Sequence, residues 1–97
     1  AILGYPAHMI RLKDDRILLV YGVRLPPFRE CARVSDDEGK TWSAEIVLCN
    51  SHSNDLGYPS SALLEDDSIL TIYYQAENPG ETTCLMGTRW RLDDVEK

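Results

Sequence analysis

The chain has 97 residues, 43% of them hydrophobic, which suits one small domain with a modest core. Its net charge of −6, with acids and bases interspersed, disfavours nucleic acid and anionic membrane surfaces as partners. No apolar run approaches the roughly 18 residues of a membrane-spanning helix, and no secretory signal pattern opens the chain.

The first segment carries Gly4-Tyr5-Pro6, and the loose alternation from Met9 to Leu12 predicts a short strand. Lys13-Asp14-Asp15-Arg16 is a polar turn of hairpin length. Ile17 to Val23 is nearly continuous in apolar residues, as a strand covered on both faces is. Pro26 and Pro27 then break the pattern, since neither can sit inside a paired strand. Glu30 to Val34 alternates, with Cys31 and Arg33 on one side and Ala32 and Val34 on the other.

Ser35-Asp36-Asp37-Glu38-Gly39-Lys40-Thr41-Trp42 reads as a structural turn. The Asp37 side chain is placed to accept from backbone N–H groups ahead of it, and Gly39 to take a positive φ. Trp42 is expected to bury its ring against the sheet, opening a fourth strand over Ser43 to Leu48. Residues 7–48 thus predict an antiparallel four-stranded meander, and no segment has a helical period.

After the polar linker Asn50 to Asn54 the chain starts over. Gly57-Tyr58-Pro59 repeats Gly4-Tyr5-Pro6 at an offset of 53. Leu64 to Leu70 repeats Leu12 to Leu18 at 52, and Cys84 repeats Cys31 at 53. The second copy has no Ser-x-Asp turn and ends in an acidic tail, Asp93 to Lys97. A four-stranded unit repeated near every 50 residues points to an all-β propeller of antiparallel blades. The division is residues 1–49 for one complete unit and 50–97 for an incomplete one. Cys31, Cys49 and Cys84 are odd in number, with no Cys-x-x-Cys pair, so free, buried thiols are expected. That leans the reading towards a reducing, cytoplasmic setting.

Taken together, Gly4 to His8, Tyr21 to Phe28, Ala32 to Ser35, the Ser35–Trp42 turn, Asp55 to Ser61 and Thr88 to Leu92 resemble the C-terminal third of bacterial sialidase-like (BNR/Asp-box) six-bladed β-propellers. The resemblance implies about two blades of six, with the turn as the Asp box: Ser35, Asp37, Gly39 and Trp42 hold a blade corner away from the pocket. Completion then comes from a longer parent chain or from a homo-oligomer, most simply three copies closing one ring.

It also implies a carbohydrate ligand resembling sialic acid. Tyr58 matches the family's nucleophile position, where a neutral phenol avoids repulsion from an anionic sugar while a Glu takes its proton. The alternative is a rim aromatic packed on Pro59. Arg24, with Arg29 as second choice, offers a fork for a carboxylate, or else stacks on Tyr21 or Phe28 or pairs with an acid across the blade. His8 and Asp55 flank the two Gly-Tyr-Pro elements and are expected at the same end, as ligand contacts or as satisfied structural residues.

Setting the Asp box on a calcium-loop template puts Val34 where a ligand must be, and His52 is isolated, so neither a metal nor a cofactor is expected. Three functions stay open: glycoside hydrolysis in a completed propeller, non-catalytic glycan or protein binding, and a structural role in assembly.

Overall fold

A computed structural model describes residues 5–76 and 78–95. Gly4 of the first Gly-Tyr-Pro element and the end of the acidic tail lie outside them. Four strands, β1 (Tyr5–Arg11), β2 (Ile17–Val23), β3 (Arg29–Ser35) and β4 (Ile46–Asn50), form one antiparallel sheet in that order. Three more, β5 (Gly57–Leu63), β6 (Ile69–Gln75) and β7 (Cys84–Trp90), form a second. Among the described residues the chain is therefore all-β in two antiparallel sheets, apart from a single helical turn, α1 (Leu92–Val95), at the start of the acidic tail.

The two β-hairpins are built by the same local chemistry. In the first, Leu12 N–H donates to Arg16 O at 2.8 Å and Asp14 Oδ1 accepts from Arg16 N–H at 3.1 Å. In the second, Leu64 N–H donates to Ser68 O at 2.9 Å and Asp66 Oδ1 accepts from Ser68 N–H at 3.1 Å. Asp15 (φ 72°) and Asp67 (φ 68°) take the left-handed turn position in each. Even the bulge recurs, between Tyr5 and His8 and between Gly57 and Ser60.

Strand pairing corrects the repeat read from the sequence. Tyr5 pairs with Gly22 and Gly57 with Tyr74, so the copies are in register at 52 throughout this hairpin, and Tyr58 stands where Pro6 does. Beyond it, Tyr21 pairs with Cys31 but Tyr73 pairs with Met86. The counterpart of Cys31 is Met86, because the loop before β7 is longer than the loop before β3. Of the three free thiols only Cys31 is buried; Cys49 is half-buried and Cys84 exposed.

The sheets pack face to face with β1 beside β5. Leu18, Val20, Ala32 and Val34 from the first sheet meet Ile69 and Trp90 from the second, with Leu12 and Leu92 closing one end. The opposite face of the first sheet buries Tyr21, Val23 and Cys31 as a separate cluster. β2 is therefore covered on both sides, as its apolar run requires.

The Ser35–Trp42 turn forms with the expected chemistry. Asp37 Oδ1 accepts from Thr41 N–H at 2.8 Å and from the Ser35 hydroxyl at 2.8 Å, and Oδ2 accepts from the Thr41 hydroxyl. The Thr41 hydroxyl, then its N–H, then Ser35 hold the carboxyl down at about 2. Gly39 adopts φ 84° and donates to Ser35 Oγ at 2.8 Å.

The return path differs from expectation. Ser43 is not in a strand: its N–H donates to Val34 O at 2.8 Å and its hydroxyl accepts from Val34 N–H at 3.0 Å. It thereby closes the turn, and ladder pairing begins only at Ile46. Trp42, left in that irregular stretch, is half-buried, and its ring passes 3.6 Å from where a Gly39 Cβ would stand.

Candidate functional site

The end of the molecule opposite the Ser35–Trp42 turn is where Tyr58 and Arg24 meet. Ser35 pairs with Ile17 at the start of β2, while Arg24 follows its last residue, about 20 Å away at strand rise. The β5 bulge and a left-handed φ of 46° turn Tyr58 out of the sheet, leaving it 63% exposed.

Its ring stacks on Tyr74 of β6, with centroids 5.7 Å apart and planes inclined by 30°. The Arg24 guanidinium carbon lies 5.7 Å from the Tyr58 ring centroid. Arg24 is held there from two sides: Nε donates to Leu56 O at 3.0 Å and Nη2 donates to Tyr74 Oη at 3.3 Å. Burial raises the Tyr74 phenol's pKa, Arg24 pulls the other way, and the Asp55 carboxylate adds to the rise. Tyr58, Tyr74, Arg24 and Asp55 thus form one cluster at the mouth of β5. Tyr74 was not singled out in the sequence, although one ring of the Tyr73-Tyr74 doublet must face outward in a strand.

Two other sequence candidates are engaged elsewhere. His8 sits level with Val20, and its Nδ1 accepts from Ser61 N–H at 3.1 Å, tying β1 to β5 below the cluster. Arg29 lies on the opposite face of the first sheet. Its Nε donates to Glu45 at 2.7 Å, its Nη2 donates to the same carboxylate at 3.2 Å, and its Nη1 donates to Pro27 O. Glu45 also accepts from Tyr21 Oη at 3.2 Å, and Arg33 donates to Tyr21 Oη at 2.8 Å, so Arg29 belongs to a polar network roofing Tyr21.

Beneath the cluster lies a residue that the sequence reading passed over. Glu30 is fully buried on the inward face of β3, and no side-chain donor satisfies its carboxylate oxygens. Burial pushes its pKa up to about 7, against the pull of the nearby Gly57 N–H and of Arg24. Strand parity held the signal, because Glu30 shares its side with Ala32 and Val34.

Gly22 makes the close approach above Glu30 possible. A Cβ there would lie 2.8 Å from Leu56 Cδ1, 3.0 Å from Gly57 Cα and 3.4 Å from Glu30 Oε1. A cavity of about 300 Å³ is at the other end of the molecule, between the hairpin turns. Its charged lining includes Lys13 and Asp67, which pair at 2.5 Å, and it contains none of the cluster residues.

No protein-family model and no curated protein matches this chain. A solved structure does: a protein of unknown function from Dyadobacter fermentans DSM 18053 superposes with a TM-score of 0.84 and 35% sequence identity over 94% of this chain. The chain spans 26% of that protein's length. The same arrangement of strands thus occurs within a chain several times longer.

Proposed function

We propose that the chain is a segment of a sialidase-like propeller, its sheets being successive blades, and that the Tyr58–Tyr74–Arg24 cluster is a carbohydrate-binding rim. The observation that carries this reading is the exposed aromatic stack with a guanidinium beside it. An aromatic face takes the C–H side of a sugar ring, and a guanidinium fork takes a carboxylate, so an acidic sugar fits better than a neutral one.

Hydrolysis asks for more. Tyr58 as a nucleophile needs a carboxylate to receive its proton, and among the described residues its phenol makes no hydrogen bond. Catalysis therefore belongs to the completed propeller, with the rest of the ring supplying the acid and further arginines. The test is an NMR titration with N-acetylneuraminic acid and with galactose. Binding of the acidic sugar, lost in Tyr58→Ala and Arg24→Ala, supports the reading; no saturable shift with either sugar overturns it.

A second reading, assembly, is favoured by the outer face of the second sheet, where Ile72 is 39% and Leu85 76% exposed. Light scattering should then give a closed oligomer, most simply a trimer. A folded monomer at all concentrations removes this reading.

A further inference from the structure

We propose that Glu30 is a positioning residue for Arg24: the charge on its buried carboxyl decides whether the guanidinium stays on the Leu56–Tyr74 rim or is drawn towards the interior. The geometry is a thin partition. Glu30 Oε1 lies 3.4 Å from where a Gly22 Cβ would stand, and Gly57 Cα lies 3.0 Å from that same point. Beyond Gly57, Arg24 Nη2 lies 3.3 Å from where that residue's own Cβ would be. The Gly57 backbone is close to both the carboxyl and the cation.

From β5 the Gly57 backbone N–H favours the ionised form, and the other groups facing Glu30 offer no positive charge. From β6 come the Tyr73 phenol, hydrogen-bonded to Thr88 Oγ1 at 2.6 Å, and Gln75, whose Oε1 also lacks a partner. From β4 comes Cys49, the strand partner of Glu30, which accepts from Gln75 Nε2 at 3.3 Å. β2 contributes only Gly22, and β1 brings its nearest described titratable side chain, His8, at the level of Val20.

A neutral acid tolerates such a place, whereas a carboxylate must find a partner. Arg24 is the full cation within reach. With its pKa pushed to about 7, Glu30 changes charge near neutrality. Ionisation pulls Arg24 from Tyr74 Oη and Leu56 O and dismantles the contact with Tyr58. The sign for stability follows: a raised carboxyl favours the fold fully below its ordinary range near 4.5 and loses that contribution as pH rises through about 7. The loss is on the order of a hundred-fold in the folding constant. None of this depends on sugar binding.

The experiment follows the Arg24 Nε–H resonance and urea unfolding of the full chain from pH 5 to pH 8.5, in wild type and in Glu30→Gln. The expected result is a pH-dependent shift of the wild-type Arg24 resonance that follows Glu30, with its midpoint near 7, and a fall in stability over the same range, both absent from the variant. An Arg24 resonance indifferent to pH while stability still falls makes Glu30 a buried acid with no positioning role, and overturns the proposal. So does a wild type that shows neither change. Should Glu30→Gln not fold, Arg24→Gln serves instead. Removing the cation must raise the Glu30 midpoint in carboxyl ¹³C spectra, and an unchanged midpoint overturns the coupling.

Discussion

The same register position holds a buried acid in one sheet and an exposed leucine in the other. Glu30 pairs with Gly22 in the first, and Leu85 pairs with Tyr74 in the second. Glu30 is fully buried while Leu85 is 76% exposed. The β1–β2 and β5–β6 hairpins turn alike, while the loops that lead on to β3 and β7 differ in length. What differs is cover: the second sheet lies on the Gly22–Glu30 face, whereas on the Tyr74–Leu85 face Tyr58 and Arg24 reach Tyr74 and Leu85 stays exposed. Where the backbones must touch, a glycine is required and an acid is trapped; where they need not, two tyrosines stand free to stack.

The largest expected effect is at the point of contact. Gly22→Val drives a branched side chain into Leu56 and the Gly57 backbone, and should destabilise the fold by about 3 kcal/mol in urea unfolding. A wild-type midpoint in this variant means that the sheets are not in the contact described. Next is Glu30→Met, which removes an unsatisfied buried carboxyl at similar volume. It should raise stability by about 2 kcal/mol at pH 8, with the gain shrinking towards pH 5, where the acid is neutral. Equal gains at both pH values contradict ionisation as the cause.

Ser35→Ala deletes the hydroxyl shared by Asp37 and Gly39, and should cost about 1 kcal/mol through the one turn that the second sheet lacks. Smallest is Leu85→Asp, expected to change monomer stability by no more than about 0.5 kcal/mol. Its effect should appear in sedimentation instead, as loss of any self-association.

Much of the fold was legible because turn chemistry and alternation agree. The bounds of Ile17–Val23 fall where the apolar run begins and ends, and Asp37 and Gly39 do what their residue types allow. The repeat was visible too, but identity of letters misaligned it. Gly-Tyr-Pro and the two cysteines suggested 53, whereas backbone pairing sets 52 and then lengthens the second loop.

The site was half legible. Tyr58 and Arg24 do meet, yet Arg29 and His8 had closer partners in Glu45 and Ser61, which lie 16 and 53 residues away along the chain. Glu30 was missed because a charged residue reads as solvated until something is known to cover it, and what covers it is a sheet that begins 27 residues later.

The equal register also gives each sheet a front and a back. Leu18, Val20 and Gly22, which the second sheet covers, correspond to Leu70, Ile72 and Tyr74 on its own outer side. Leu19, Tyr21 and Val23, on the far side of the first sheet, correspond to Thr71, Tyr73 and Gln75, which face inward. Any association that reuses this step is polar, joining the back of one chain to the front of the next, and no residue meets its own copy. A chain damaged on one face alone still binds through the other and admits no further neighbour. Added in small proportion to intact protein, such a chain acts as a terminator.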